Sequence, residues 1–470
     1  MRVFPDPLDL ITEAYDRIGA WERSFGEVVP SPTLAIEADR LGAALDAYLG
    51  RMTAPPRGEA PGMYPFGHPR YAGQMLKPPH PVALAAYAAA ARINPNNHAL
   101  DGGPPTSEME KEVVADLAAM FGFPEAALGH LTGGGTVANL EALFVAREET
   151  GSKAIAVSED GHYTHARMAH VLGIESVSVA ATASGRIDLG ALEDALRSGR
   201  VGTVVLTAAT TGLGAVDPIA EAIPLCRHFG ARIHVDAAYG GFFRLVADSE
   251  LAPLSFPSEH FRAISEADSV VVDPHKHGLQ PYGCGAVLFR DPAVGRHYRH
   301  DSPYTYFTSA DLHLGEISLE CSRPGAAAGA LWMTLKALPL EPDAGLGPVL
   351  AAGLRAARAL ADRLGESDRF GPVLPPETDI VVYAPEAGLL SGVDSLSQRI
   401  FDAGMADPED PLFLSLYRLG AGRLAHAFPN TEADVPAARV LRSVLMKPEH
   451  EAAVPWIATR LDALASDAQV

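Results

Sequence analysis

Between about residue 106 and residue 290, short runs of apolar residues alternate with stretches of helical periodicity. The runs that read as strands are "AIAVS" (154–158), "SVSVA" (176–180), "TVVLT" (203–207), "RIHVD" (232–236), "SVVVD" (269–273) and "GAVLF" (285–289). As a set these runs read as continuous rather than alternating, which is typical of strands covered on both faces in a mostly parallel sheet. The pattern predicts an α/β domain with helices on both faces of the sheet and ligands at the carboxyl ends of the strands.

The rest of the chain divides around this region. Residues 1–105 read as helical patches separated by proline-rich turns, including "PVALAAYAAAARI" (81–93) as a packed helix. We expect this segment to wrap the main domain or a partner subunit, because it has too little apolar surface to bury itself alone. Residues 106–335 form the predicted large domain. Residues 336–470 combine helical and strand patterns and predict a small α+β domain.

Composition narrows the class of protein. The 470 residues include 37 basic and 58 acidic side chains, a net charge of −21, which disfavours a nucleic-acid or anionic-membrane surface. The N-terminus carries acids where a signal peptide needs an apolar run. The longest apolar stretch is too short to span a bilayer. Three cysteines without paired spacing suggest reduced thiols, and we expect a cytoplasmic protein.

Lysine is rare in this chain, which makes each lysine informative. It accounts for six of the 37 basic residues, and arginine supplies the other 31. One lysine, Lys276, follows a buried-looking strand in "DPHKHGLQPYGCG", between His275 and His277. A primary amine can lose its proton and react with a carbonyl group, which a guanidinium cannot do. On the count of lysines alone, chance and a chemical role for the lysines explain their scarcity about equally well.

Three features fall at predicted strand ends. "GHLTGGGTVANLEAL" (129–143) opens a helix with glycines and is suited to a phosphate. Asp236 closes a strand in "IHVDAAYGG", and Lys276 sits in a turn that follows another. Each has an ordinary alternative: a simple turn, a structural aspartate and a solvated lysine. A phosphate-binding loop, a carboxylate and an amine are the groups needed to bind the phosphate, the protonated ring nitrogen and the aldehyde of pyridoxal 5'-phosphate. Because all three occur together, the sequence predicts that cofactor.

The motifs that carry these residues resemble a known family. "TGGGTVANLEAL", "GHYTHARMAHVLGI", "HVDAAYGG" and "DPHKHGLQPYGCGAVLFRD" are similar to successive motifs of the group II pyridoxal-phosphate amino-acid decarboxylases, which include aromatic-amino-acid, tyrosine and glutamate decarboxylases. The resemblance covers about residues 60–335. It implies the fold-type I architecture of pyridoxal-phosphate transferases and an L-amino-acid α-decarboxylase that releases CO2 and a primary amine.

The resemblance also implies roles for residues near the cofactor ring. Lys276 would form the imine with the cofactor, and Asp236 would pair with the ring nitrogen. His162 would stack on one ring face and Ala238 would pack beneath the other. Arg167 stands where relatives have lysine in "HYSxxKA", a change that fits the general preference for arginine.

A second set of implied roles concerns the phosphate and the substrate. Gly134, Gly135 and Thr136 would bind the phosphate, with His275 nearby. Thr210, in "TAATTGLGAVDP", would lie by the ring hydroxyl or the substrate carboxylate.

The resemblance further implies a proton donor and an assembly. In the family a loop tyrosine protonates Cα and reaches the site of the neighbouring subunit. Tyr304 and Tyr306 lie where that loop belongs, and we favour Tyr306. Shared sites imply an obligate homodimer. Relatives that lack the tyrosine tend to form aldehydes, so an aldehyde product stays open.

Other interpretations compete with this one. A carbon–carbon lyase, an aldehyde-forming synthase and a non-catalytic cofactor-binding homologue share the scaffold. An aminotransferase needs an arginine for a second carboxylate, and Arg323 is the nearest candidate. His162, His165 and His170 suggest a metal site, but no carboxylate or thiolate completes the set within that segment, so we predict no metal.

The substrate pocket is expected to draw on residues 63–71 and, from a second subunit, residues 93–100. Tyr64, Phe66 and His68 suit an aromatic or medium apolar side chain, although each also suits interface packing. Arg70 is the sole arginine in these segments, which disfavours glutamate as the substrate.

Overall fold

The structure is a computed structural model that describes residues 3–56, 62–299 and 314–469. Its α-helices are α1 Pro7–Arg23, α2 Ala38–Met52, α3 Pro81–Ile93, α4 Pro104–Phe121, α5 Gly135–Thr150, α6 Thr164–Leu172, α7 Leu189–Arg197, α8 Ile219–His228, α9 Ser258–Ala263, α10 Leu314–Ile317, α11 Gly325–Ala337, α12 Gly347–Gly365, α13 Leu390–Ala406, α14 Ala421–Ala427 and α15 His450–Gln469. Its strands are β1 Leu128–Thr132, β2 Ala154–Ser158, β3 Ser176–Val179, β4 Val201–Thr207, β5 Arg232–Asp236, β6 Ser269–Val272, β7 Gly285–Phe289, β8 Phe370–Pro372, β9 Ile380–Pro385, β10 Ser415–Gly420 and β11 Ala437–Val444.

A seven-stranded sheet forms the centre of the fold, in the order β1-β7-β6-β5-β4-β2-β3. All neighbouring pairs are parallel except those of β7, which runs antiparallel to both β1 and β6. Strands β2, β4, β6 and β7 are buried along their whole length. The prediction of a mostly parallel α/β sheet is therefore confirmed.

The predicted strands match the observed ones closely. Strands β2, β5 and β7 have the predicted bounds, and β3, β4 and β6 differ by one or two residues. Strand β1 has no counterpart in the prediction. It lies at the edge of the sheet, and its His130 is fully buried and pairs with Glu141 of α5.

A second, antiparallel sheet lies in the C-terminal part, in the order β10-β11-β9-β8. Helices α12 and α13 pack on it, α15 packs on both of these helices, and Leu360, Leu441 and Leu461 are fully buried in the cluster between them. This arrangement agrees with the predicted α+β pattern after residue 336. The exact boundaries between the three stretches at 105 and 335 stay a prediction.

The N-terminal helices are less covered than the rest of the molecule. Helix α3 has the predicted bounds and packs on α11, and α1 packs on α3. The start of α3 is capped by His80, whose Nδ1 accepts a hydrogen bond from the Val82 N–H. Helix α2 has no buried residue.

No helix among the described residues has both the length and the apolar character needed to cross a membrane.

A buried lysine predicts how stability changes with pH. The Lys447 side chain is almost fully buried, and its Nζ donates to the Tyr71 carbonyl oxygen at 2.6 Å. Burial lowers the pKa of Lys447 from 10.5 to about 7. Between these values the unfolded chain holds a proton that the folded protein lacks, so the free energy of unfolding rises with pH.

We therefore expect Lys447→Met to flatten this rise, by up to about 1.4 kcal/mol per pH unit, in urea unfolding measured from pH 7 to pH 10. Lys153→Met, at an exposed position, should keep the slope of the unsubstituted protein. Parallel curves for the protein and Lys447→Met would contradict the assignment.

Candidate active site

The carboxyl edge of the large sheet brings the predicted site residues together. Asp236 ends β5, and the turn after β6 carries Asp273 and Lys276. Because β5 and β6 are parallel neighbours, their ends meet at one edge. There they border a cavity of about 380 Å³, which is also lined by residues 133–137 at the start of α5.

The glycine loop before α5 has a conformation that side chains would obstruct. Gly134 has φ of +142°, which favours glycine, and a Cβ on Gly135 would lie 2.7 Å from Asp273 Oδ2. The N–H of Gly133 donates to Glu320 Oε2 at 2.8 Å. The N–H groups of Gly135 and Thr136 have no acceptor among the described residues. They stand at the positive end of a 16-residue helix, which makes the loop a cradle for an anion.

Lys276 is partly rather than fully buried. Its side chain is 21% exposed, and its Nζ lies 3.0 Å from Asp273 Oδ2. The Asp273 carboxylate is buried, and its Oδ1 has no hydrogen-bond partner within the part of the chain that the structure describes. The amine is therefore held by one carboxylate and open to the cavity.

Asp236 is a buried carboxylate with two donors. Its Oδ2 lies 2.8 Å from His165 Nε2, and its Oδ1 accepts from the Ala238 N–H at 3.1 Å. Burial alone would raise the pKa of Asp236, but the hydrogen bond and charge of His165, together with the Ala238 N–H, hold the pKa below its usual value. Asp236 is thus ionised while it lines the cavity.

Other predicted residues reach the same cavity. His162 and Ala238 both line it, and burial lowers the pKa of His162. His275 lines it beside Gly134, with its Nδ1 2.8 Å from the Cys284 carbonyl oxygen. Thr210 is buried and accepts from the Ala215 N–H, whereas its neighbour Thr211 lines the cavity.

His277, the residue after Lys276, contacts the C-terminal part of the chain. His277 Nε2 lies 2.8 Å from Asp379 Oδ2, and His277 Nδ1 lies 2.9 Å from the Tyr239 carbonyl oxygen. The Tyr239 hydroxyl donates to Asp379 Oδ1 at 2.7 Å. Both ring nitrogens of His277 therefore face oxygen atoms, and the buried Asp379 carboxylate is contacted by His277 and by the Tyr239 hydroxyl. Sequence reasoning missed Asp379, because it lies 102 positions from His277.

The arginines considered from the sequence already have partners. Arg323 forms a buried ion pair with Glu110, at 2.6 Å, and also donates to the Leu131 carbonyl oxygen. Arg70 pairs with Asp410 at 2.9 Å. Neither lines the cavity. Arg323 therefore gives no support to an aminotransferase clamp.

Arg442 is an arginine that sequence reasoning missed. It lies on β11, is 4% exposed, and donates to the carbonyl oxygens of Thr211 and Gly212. Among the described residues no carboxylate lies within ion-pair distance of it. It thus holds the segment that forms one wall of the cavity.

Several predicted residues lie away from the cavity. Tyr64 and Phe66 pack with Tyr71 and Phe413, with ring centroids 4.8 to 6.1 Å apart. His68 is exposed and its Nδ1 accepts from the Arg70 N–H. The loop tyrosines, Tyr304 and Tyr306, lie outside the described residues.

The three histidines in and just before α6 have separate surroundings. His162 Nδ1 accepts from the Thr164 N–H, His165 faces Asp236, and His170 is exposed. No group of three or more histidine, cysteine, aspartate or glutamate residues in the described part of the chain is arranged to hold a metal ion.

The residues at this edge fit pyridoxal 5'-phosphate. The fit rests on the two unpaired N–H groups at the start of α5, the ionised carboxylate of Asp236 and the cavity-facing amine of Lys276. They match, respectively, a phosphate, a protonated ring nitrogen and an aldehyde.

Comparison with known proteins agrees with a site for pyridoxal 5'-phosphate. A family model described as the pyridoxal-dependent decarboxylase conserved domain matches residues 60–384. A probable L-tyrosine/L-aspartate decarboxylase of Methanothermobacter thermautotrophicus is 30% identical and aligns with 72% of this chain and 88% of its own length. The L-tyrosine decarboxylase of Enterococcus faecium is 28% identical, over 71% of this chain and 72% of its own. The L-2,4-diaminobutyrate decarboxylase of Rhizobium meliloti is 31% identical, over 64% of this chain and 63% of its own.

Solved structures share the fold. Oryza sativa TDC, crystallised with PLP and tryptamine, superposes with a TM-score of 0.76 at 18% identity, covering 98% of this chain and 97% of that one. Mouse CSAD gives a TM-score of 0.74 at 22% identity and covers 98% of both chains. The predicted fold-type I architecture is confirmed.

Removing the anion beside His277 should destabilise the folded protein. We expect Asp379→Asn to lower the free energy of unfolding by about 3 kcal/mol, because it removes the buried carboxylate that contacts both His277 and the Tyr239 hydroxyl. Since His277 and neighbouring interactions lower the pKa of Asp379 against the effect of burial, this advantage should be full above about pH 4 and shrink as the pH falls further.

Urea unfolding at pH 7 and pH 3.5 measures both effects. Asp410→Asn removes a partly exposed ion pair with Arg70 and should cost no more than about 1 kcal/mol. If both variants lose the same free energy of unfolding at pH 7, the His277–Asp379 pair contributes no more to stability than the partly exposed Arg70–Asp410 pair.

Proposed function

Because the chain belongs to the pyridoxal-dependent decarboxylase family, it is a pyridoxal-phosphate-dependent amino-acid decarboxylase, and we propose that its substrate is an L-amino acid with an aromatic or medium apolar side chain. The proposed reaction breaks the bond between Cα and the carboxyl carbon. It forms a C–H bond at Cα with one added proton, and it releases CO2 and a primary amine. The observation that carries the proposal is the meeting of Lys276, Asp236 and the α5 glycine loop at one cavity.

Each residue of the cavity has a proposed part. When bound, pyridoxal phosphate supplies an aldehyde carbon for amines and a ring that withdraws electrons from Cα. Lys276 provides the amine that anchors the aldehyde carbon, and Asp236 holds a proton at the ring nitrogen. His162 and Ala238 contact the ring faces.

The remaining proposed roles concern the two ends of the site. Gly134, Gly135 and Thr136 bind the phosphate, with His275 beside them. Thr211, which lines the cavity, takes the place predicted for Thr210 near the substrate carboxylate. The proton donor to Cα, Tyr306 or Tyr304, stays a prediction.

The charges around the cavity support an uncharged substrate side chain. No arginine lines the cavity in the part of the chain that the structure describes. Arg70 and Arg323, the arginines that a second carboxylate would need, are held by Asp410 and Glu110. Relatives named for L-aspartate and for L-2,4-diaminobutyrate make these two amino acids the substrates to test against the proposal.

We infer a cytoplasmic location from the cysteines. Cys226, Cys284 and Cys321 are all free thiols, and the first two are buried, as expected of a protein from a reducing compartment.

A homodimer is supported by the uncovered apolar face of α2. Leu41, Leu45, Tyr48, Leu49 and Met52 follow a helical spacing and are all at least 39% exposed. A continuous apolar stripe of this kind marks an interaction surface, and we propose that a second copy of this chain covers it.

A product screen tests the reaction and the substrate. The purified protein with pyridoxal phosphate should form amine and CO2 in equal amounts from L-tyrosine or L-leucine, and at least tenfold more slowly from L-aspartate, L-glutamate and L-2,4-diaminobutyrate, because an unpaired side-chain charge is costly in the cavity. Faster turnover of L-aspartate would overturn the substrate class. Aldehyde and ammonia in place of amine would overturn the reaction.

The visible absorbance of the bound cofactor tests the anchoring residue. Lys276→Ala should lose the visible-edge band and the activity, whereas Lys153→Ala, at an exposed lysine, should keep both. A band that persists in Lys276→Ala would place the imine on another amine.

Light scattering coupled to size exclusion tests the assembly. The protein should elute with twice the mass of the chain. Leu45→Glu should shift it toward the monomer, because it places a charge in the proposed interface. Asp46→Ala, at the neighbouring polar position, should leave the dimer intact. A monomeric unsubstituted protein would refute the dimer.

A further inference from the structure

His165 is a buried histidine that contacts the ring-nitrogen partner without lining the cavity. It lies in the first turn of α6, has no exposed surface, and places its Nε2 2.8 Å from Asp236 Oδ2. The other Asp236 oxygen accepts from the Ala238 N–H at 3.1 Å. His165 is absent from the cavity wall, so any effect on the reaction passes through Asp236.

The hydrogen-bonding pattern fixes the direction of this contact. An ionised carboxylate accepts hydrogen bonds and donates none, so the proton between the two groups belongs to His165 Nε2. The other ring nitrogen, Nδ1, is buried and has no hydrogen-bond partner among the described residues. The contact with Asp236 is therefore the one polar interaction that orients the ring.

A second histidine beside the pair stays neutral. His234 lies two residues before Asp236 on β5, and its ring centroid is 6.5 Å from that of His165. Its Nε2 donates to Asn139 Oδ1, because the Asn139 amide nitrogen already donates to the Gly135 carbonyl oxygen. Its Nδ1 accepts from the Ser269 hydroxyl.

Burial lowers the pKa of His234 to about 3, so this ring adds no charge next to the carboxylate. The side chain that stabilises the charge of Asp236 is therefore His165. The hydrogen bonds from His234 to Asn139 and from Asn139 to Gly135 connect β5 to the glycine loop before α5. They fix His234 in place behind the His165–Asp236 pair.

We propose that His165 is a positioning residue for the decarboxylation, which holds the Asp236 carboxylate ionised and oriented so that the ring nitrogen of bound pyridoxal phosphate keeps its proton. This inference rests on the proposed role of Asp236. Without the donor, desolvation favours a neutral carboxylic acid at position 236. The proton would then reside on the carboxyl oxygen rather than on the ring nitrogen, and the ring would withdraw electrons less strongly from Cα.

The test uses the holoenzyme loaded with pyridoxal phosphate that carries ¹⁵N at the ring nitrogen. The ¹⁵N chemical shift reports whether this nitrogen is protonated, independently of turnover. His165→Phe removes the donor, and His165→Gln keeps an N–H near the position of Nε2. His170→Phe, an exposed position on the same helix, is the matched control.

We expect the shift of a protonated nitrogen in the unsubstituted protein, His165→Gln and His170→Phe, and a move toward the neutral value in His165→Phe. The kcat of His165→Phe should fall about tenfold or more, as expected for a lost hydrogen bond to a charged group, while KM changes less than about threefold. An unchanged shift and kcat in His165→Phe would overturn the proposal and leave the contact as packing.

Two further variants keep the outcome decisive. If His165→Phe does not fold, His165→Met is the donor-free variant, because its flexible side chain adapts to the space. Asp236→Asn separates the two levels of the inference. A ¹⁵N shift that Asp236→Asn leaves unchanged would show that Asp236 is not the ring-nitrogen partner, which refutes the proposed site rather than the part of His165 alone.

Discussion

The site depends on how buried carboxylates are compensated at the carboxyl edge of the large sheet. An ionised carboxylate away from water is strongly unfavourable unless a donor or a cation meets it. Asp236 is met by His165, Asp273 by Lys276, and Asp379 by His277. Asp236, Asp273 and Lys276 line one cavity, so the interactions that compensate these buried carboxylates also place the reactive groups.

Much of the large sheet could be predicted because its strands are covered on both faces. Burial makes β2 and β7 almost continuous apolar runs, which the local pattern detects. Strand β1, "LGHLT", was missed because Gly129 and His130 break that pattern. His130 can be buried because it contacts Glu141 on α5. This partner lies 11 residues away along the chain, so the sequence of the strand alone does not reveal it.

The candidate site also contains some residues that the sequence predicts and others that it does not. Asp236 was predicted because it closes an apolar strand and Lys276 because it follows one, and the parallel register then brings the two strand ends together. His165 was considered only as a metal ligand and Asp379 was missed, because their contacts lie 71 and 102 positions away along the chain. Thr210 and Thr211 differ by one residue, and the local turn decides which hydroxyl group faces the cavity.

Burial alone does not distinguish the reactive lysine. Lys447 is 2% exposed, and burial lowers its pKa to about 7, whereas the Lys276 side chain is 21% exposed and held by Asp273. A fully buried amine loses its proton but is beyond the reach of a ligand. An amine at the edge of a cavity, placed by a contact with a carboxylate, is within reach of a ligand. The preference for arginine elsewhere in the chain is consistent with this difference, because a guanidinium neither gives up its proton nor joins a carbonyl carbon.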